Sequence, residues 1–471
     1  MAKNKPESSS LRRLLTQAVG RHLSVELSEI AKLAWPMVLT QVGQIIMMTT
    51  DVILIGRAGA EALAAAAVAG RIYLIGFILG AGPLTAIAPL VAQAFCAHNL
   101  GVVRRSLRMG LWAASLLSLP IVAFAMRGEQ VLLALGQEAD TARLAQQYLF
   151  GLAWGVAPAL WFQAIRIFMG AVSRPEPVLG ITVAAIPLNA LLVYLLIYGK
   201  CGLPRLDLFG AGLATTLVNY GMCLTILLFT RIRRPFCDYH VLAHLWRFDW
   251  RSMRQLIVIG TPSSVGTLIM YGLFIVAALL AGLVNASALA AHQIAAQVAG
   301  TLFTISLGIS MAAAVRVSQA VGRNDGPGIK RAGMVSMLLG IVIATMLTIA
   351  VVAARREIAA LFLDESAEQA DNTIRLAAKL LLLGASFFIS DAAQIIATGS
   401  LRGMKDTRIP LLAAIAYWLI GFSLSYVLGL RLGLGAIGIW IGLSIATTAY
   451  AGLLFVRFQI LANKLAIESK C

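Results

Sequence analysis

Asp51 lies in "IIMMTTDVILIG" and Asp391 in "LLLGASFFISDAAQIIATGSLRG", each the one carboxylate of a long apolar run. An ionised Asp in hydrocarbon costs several kcal/mol, about 2.5–3.5 on insertion scales, so such a residue calls for a use. Burial favours the neutral form of a carboxylate and a nearby cation favours the charged form. A carboxylate in this setting can therefore take up a proton in one conformation and release it in another. It can instead hold Na⁺ with neighbouring hydroxyl and carbonyl oxygens, or balance a cationic substrate.

Other polar groups share these runs. Asn189, in "AIPLNALLVY" just after Pro187, is either a ligand or an amide that joins two helices. Thr215 and Thr216, in "GAGLATTLVNY", are weaker candidates, because threonines commonly bond back to their own helix. His292 is either a proton relay or a satisfied packing residue. Arg71, in the following span, offers Asp51 a permanent ion pair, which would make that carboxylate structural. Asp391 has only the distant Lys379, and Arg166 and Arg316 are expected to snorkel toward the cytosol.

Enzymatic chemistry finds no footing. There is no phosphate loop, no nucleophile–base constellation and no metal-ligand spacing among the 5 cysteines and 5 histidines. Neither a cofactor nor a metal is expected.

The elements that position these groups follow from composition. The chain has 471 residues, 59% hydrophobic and 13% charged, with a mean hydropathy of +0.85. A soluble domain carries about 25% charged residues. Apolar runs long enough to cross a bilayer as helices recur from end to end, at roughly 30–55, 62–94, 107–126, 144–171, 177–198, 209–229, 256–284, 288–321, 332–354, 374–401, 410–429 and 436–456. The reading is an all-α polytopic membrane protein.

The formal charge of +17 is distributed by topology. Arg104, Arg105 and Arg108, the arginines of 231–254, Lys330, Arg331, Arg402, Lys405 and Arg408 all fall on one side, and the acidic "FLDESAEQAD" falls on the other. By the positive-inside rule both termini are cytoplasmic. The lipid bilayer is thus a partner and nucleic acid is not.

A shift of about 226 positions lays the second half on the first. Pro36 meets Pro262, "GAEALAAAAVA" meets "NASALAAHQIA", "VAQA" with Gln93 meets "VSQA" with Gln319, and Arg104-Arg105 meets Lys330-Arg331. Gly170 and Pro177 match Gly403 and Pro410 at a slightly larger shift. Each copy has six spans, so both keep one orientation. Two six-helix lobes related by a pseudo-two-fold axis along the membrane normal follow, as in alternating-access transporters. The expected divisions are an N-terminal tail 1–29, an N-lobe 30–229, a basic linker 230–255, a C-lobe 256–456 and a C-terminal tail 457–471. Asp51 aligns with Ala277, so each acidic residue belongs to one lobe only.

Over about residues 25–460 the chain resembles the multidrug and toxic compound extrusion (MATE) family, of the bacterial NorM-like type. The resemblance rests on "LAWPMVLTQVGQIIMMTTDVILIG", "APLVAQAFCAHN", "IPLNALLVYLLIYGKCG", "GAGLATTLVN", "ALAAHQIAAQVA" and "GSLRGMKDTRIP". It implies export of small cationic amphipathic drugs in exchange for inward H⁺ or Na⁺, by a monomer in a bacterial inner membrane. It places the family's acidic first-helix position on Asp51, its tenth-helix aspartate on Asp391 and its fifth-helix asparagine on Asn189. Three positions depart from the pattern. Met270 stands where relatives carry a seventh-helix glutamate, Phe387 where they carry a tyrosine, and Val193 where they carry a second polar residue. The C-lobe thus lacks two oxygen donors that Na⁺ would need, which favours H⁺ through Asp51. On this reading, protonation of Asp51 bends or repacks its helix near Pro36, where the proline already omits one backbone bond.

Alternative readings are a lipid-linked oligosaccharide flippase of the related exporter superfamily, a major-facilitator-type transporter, and a non-transporting subunit of a proton-pumping complex. The flippase would carry more spans and a more cationic cavity. The major-facilitator reading lacks its Gly/Asp/Arg-rich loop, since "AHNLGVVRR" stands between spans 2 and 3.

Overall fold

The computed structural model describes residues 7–134, 136–200, 202, 204–234, 236–239, 246–362 and 370–468, with the side chains of the first helix from Ser24 onward. The N-terminal half contains α1 (Glu7–Gly56), α2 (Ala60–Leu84), α3 (Ile87–Cys96), α4 (Leu100–Met126), α5 (Gly128–Ala134), α6 (Ala139–Ala153), α7 (Val156–Ala171), α8 (Glu176–Tyr198) and α9 (Asp207–Ile232). The C-terminal half contains α10 (Trp250–Val284), α11 (Ala286–Gly322), α12 (Gly326–Ala353), α13 (Arg355–Leu361), α14 (Ala370–Leu383), α15 (Ala385–Gly403), α16 (Arg408–Tyr426) and α17 (Gly435–Glu468). No strand occurs among the described residues.

Among the described residues, ten helical segments are long and apolar enough to cross a membrane, and counting each of two bent pairs as one span brings the total to 12. The bent pairs, α6 with α7 at 49° and α14 with α15 at 46°, are the fourth span of each half. Both spans are expected as continuous from sequence. The break falls at Trp154–Gly155 in one and at Gly384 in the other. Neither break contains a proline, so the usual signal for a kink is missing there.

Helix starts are specified locally. Asn99 and its counterpart under the shift, Asp325, cap α4 and α12 by accepting from Val102 N at 3.2 Å and Gly328 N at 2.9 Å. Asn285 caps α11 and Asp249 caps α10 in the same way. The polar ends are helical too. α1 begins at Glu7 and α17 ends at Glu468, so the segments expected as separate tails extend the first and last helices as far as they are described. Much of "FLDESAEQAD", at 363–369, lies outside the described residues.

The lobes meet along a seam at the basic end of the bundle. Gly82 on α2 lies so close to Ser264 on α10 that a Cβ would overlap it, and Gly308 on α11 lies as tightly against Val38 on α1. Under the internal shift these are the same contact made twice. Gln93 Nε2 donates to Gly403 O at 3.0 Å, and its repeat partner Gln319 donates to Ser173 Oγ at 2.7 Å. Glu26 and Arg316 add an ion pair at 2.9 Å, with each side chain nearly buried. Arg316 therefore does not reach toward water as expected, because Glu26 holds it against the opposite lobe. Every inter-lobe hydrogen bond found among the described residues lies at this end.

Candidate functional site

The N-lobe gathers three of the expected residues. Asp51 lies on α1, Asn189 on α8 and Thr215 on α9. Asn189 Nδ2 donates to Asp51 Oδ1 at 2.5 Å. Thr215 Oγ1 stands 3.5 Å from Asp51 Oδ2 and 3.2 Å from Ala211 O. A hydroxyl carries one hydrogen, so the bond to its own helix competes with the longer one to the carboxylate. Asn189 is 0% exposed, and its Oδ1 has no partner.

Local sequence explains the convergence. Gly43 admits the Thr182 methyl at 3.0 Å from where a Cβ would sit, which brings α1 against α8. Tyr198 closes the far end of that contact by donating to Leu54 O at 3.1 Å. Ala65, Ala69, Val193 and Ala214 are buried in one apolar cluster of this lobe, built from α2, α8 and α9 among others. Val193, the departure on α8, belongs to that cluster. Tyr148 stands close enough to interact electrostatically with Asp51 and with Tyr73. Neither tyrosine was singled out by sequence.

Three other expectations come out differently. Arg71 is exposed and makes no ion pair with Asp51 among the described residues, so the permanent pair does not form. Thr216 turns away from Asp51 and donates to Gly151 O at 2.7 Å, tying α9 to α6. His292 is buried on α11 and accepts from Trp440 Nε1 at 3.2 Å, and it takes no part in the hydrogen bonds of either aspartate. Its ring packs at 5.9 Å from the Trp440 ring, the arrangement of a satisfied core residue.

Asp391 lines a cavity of about 480 Å³ between the lobes. It is 6% exposed and accepts from Gln394 Nε2, three residues along α15, at 3.0 Å. Lys379 is exposed and does not pair with it. Aromatic rings form the wall: Phe274 meets Phe387 edge-on at 5.6 Å, and Tyr271 meets Phe303 at 6.5 Å. Met270 and Phe387, the two C-lobe departures, face this same cavity. Aromatic faces beside one carboxylate suit an amphipathic cation.

The cavity floor holds a group that sequence placed elsewhere. Arg166 is 9% exposed and donates to Gln41 Oε1 at 2.8 Å, so it does not snorkel to the cytosol. Arg402 also lines the cavity, while Asp406 on its rim is held by Arg457 at 2.7 Å. The lining therefore carries both signs of charge.

With this geometry in view, known proteins supply the context. The MatE family model matches residues 36–195 and again 262–427, once in each lobe, starting on Pro36 and Pro262. The chain is 55% identical over 445 residues to a probable multidrug resistance protein NorM of Bradyrhizobium diazoefficiens, covering 94% of this chain and 95% of that one. It is 48% identical over 439 residues to a protein of the same name from Rhodopseudomonas palustris, covering 93% and 92%. Among solved structures, the outward-facing conformation of a multidrug resistance MATE transporter of the MOP superfamily superposes with a TM-score of 0.84 at 18% identity, covering 93% of this chain and 96% of that one. That likeness extends over the twelve spans and both lobes, and it sets the major-facilitator architecture aside. A family model matched in both lobes, and relatives this similar along nearly the whole length, make the chain a member of the multidrug and toxic compound extrusion family.

Proposed function

We propose that the protein exports small cationic amphipathic compounds in exchange for H⁺ moving inward, by alternating access between its two lobes. It acts as a monomer in a bacterial inner membrane, with the basic end and both termini in the cytosol. The names carried by its relatives favour drug export over lipid-linked oligosaccharide flipping. One observation carries the coupling: Asp51 makes no ion pair among the described residues and is held by an amide and a hydroxyl from two other helices.

Asn189 suits both states of such a carboxylate. The charged form accepts from Nδ2. The protonated form donates its O–H to Oδ1, once the amide turns over. Proton loading thus reverses the polarity of the bond between α1 and α8, and repacking of α1 follows from it. Asp391 and the aromatic cavity take the positively charged substrate, which leaves as the lobes part at the end away from the seam.

Purified protein in proteoliposomes, loaded with ethidium and placed under an imposed pH or Na⁺ gradient, tests this. Efflux driven by the pH gradient and abolished by Asp51→Asn is expected. Normal proton-driven efflux by that variant overturns the assignment. Na⁺ is the second reading, since the unpartnered Asn189 Oδ1, the Thr215 hydroxyl and the carboxylate offer it oxygens. Efflux driven by Na⁺ alone selects it.

A further inference from the structure

A second cavity, of about 460 Å³, opens at the basic end, between the start of α10, the α15–α16 turn and α3. Four cations line it: Arg251, Arg254, Lys405 and Arg408. No carboxylate pairs with any of the four among the described residues. The nearby acids are engaged elsewhere. Asp249 caps α10, accepts from Ser252 Oγ at 2.8 Å and pairs with Arg105 at 3.5 Å. The Ser252 hydroxyl holds its carboxyl below the usual range, so it stays charged and occupied. Asp406 is bound to Arg457.

The internal repeat shows what is unusual here. On the other side of the pseudo-axis the same position is closed by the chain itself, through Glu26 with Arg316 and Gln319 with Ser173. Under the shift Ser252 replaces Glu26 and Leu90 replaces Arg316. Ser173 and Lys405 are both the left-handed residue of the turn that ends the fourth span of a lobe, at φ 60° and 62°. A non-glycine residue in that conformation carries strain, and here it sets a lysine at the mouth of the cavity. One seam is thus sealed by its own ion pair, and its twin gathers four cations with no anion among them.

Leu90, Val258 and Ile259 supply an apolar wall to the same cavity. Val258 is 42% exposed and its neighbour Ile257 41%, both on the outer surface of α10. A headgroup phosphate among the cations would have a bed for its acyl chains along that surface, which a free phosphate would not use. Basic pockets between spans at the cytoplasmic face suit anionic headgroups.

We propose that this cavity is a binding site for an anionic phospholipid, whose phosphate sits among Arg251, Arg254, Lys405 and Arg408 and which bridges the two lobes through Leu90. The test is native mass spectrometry of the purified full-length chain in micelles doped with phosphatidylglycerol or phosphatidylcholine. The variants are Lys405→Gln with Arg408→Gln, Arg251→Gln with Arg254→Gln, and a control pair, Arg231→Gln with Arg233→Gln, outside the cavity. The wild type is expected to retain one phosphatidylglycerol in preference to phosphatidylcholine. Either cavity pair should weaken that binding about thirtyfold, and the control should leave it unchanged. No retained lipid in the wild type, or equal loss in the control pair, overturns the site. Displacement of the lipid by inorganic phosphate at equal concentration would make it a free-anion site and overturn the lipid assignment.

Discussion

Asp51 takes its hydrogen bonds from helices other than its own, whereas Asp391 takes its bond from Gln394, three residues along the same helix. A change of charge at Asp51 therefore alters how α1, α8 and α9 fit together. The same change at Asp391 alters the charge of the cavity without breaking a hydrogen bond between helices. Their surroundings agree with this division. Asp51 belongs to the lobe whose α2, α8 and α9 share a buried apolar cluster, while Asp391 lines a large aromatic space between the lobes. Two carboxylates in membrane-spanning helices can serve different ends because their partners come from different places. In the proposed mechanism, one moves helices and the other holds cargo.

The sharpest way to break this contrast is Asp51→Asn, which should fold and insert normally yet reduce gradient-driven ethidium efflux to the level of empty liposomes. Asn189→Leu should come next. It removes a hydrogen bond to a charged group, and the efflux rate should fall about 10- to 100-fold. Asp391→Asn should leave coupling intact and raise the half-saturating ethidium concentration about tenfold, as expected for loss of one partly screened charge pair. A loss of coupling in Asp391→Asn with normal coupling in Asp51→Asn would reverse the two roles. Gln394→Ala should cost a few-fold in the same affinity, about the worth of one hydrogen bond, with no effect on coupling. The smallest effects separate two adjacent threonines. Thr215→Val should slow efflux about twofold to threefold, in keeping with its long and shared bond. Thr216→Val should leave transport unchanged and lower stability by about 1 kcal/mol in thermal unfolding.

Much of the N-lobe site was legible in the sequence because a polar group inside an apolar run announces itself. Asp51, Asn189 and Thr215 are such groups, and they converge. What sequence could not supply was direction. Lipid-facing and core-facing sides of a span are equally apolar, so periodicity does not say which way a residue points. Arg71 was a candidate on grounds of depth and Thr216 as a polar group in an apolar span, and neither pairs with Asp51. Arg166 illustrates the same limit: its distance from the basic end suggested reach to water, yet Gln41 holds it at the cavity floor. The duplication was readable as a constant shift, and the seam glycines show why the shift persisted. The bends at Gly155 and Gly384 were not readable, since no proline marks them.

The paired contacts of Gly82 with Ser264 and Gly308 with Val38 have the geometry of a two-fold-symmetric dimer interface carried within a single chain. In a homodimer, any substitution at such a glycine strikes the interface twice, and any new charge appears on both sides of the axis. Joined in one polypeptide, the two halves are released from that constraint. Val38 can differ from Ser264, and Glu26 can meet Arg316 on one side while serine and leucine stand at the matching places on the other. Fusion therefore lets a symmetric seam carry two unlike sites, one carboxylate for each lobe, without giving up the shared fit of its glycines.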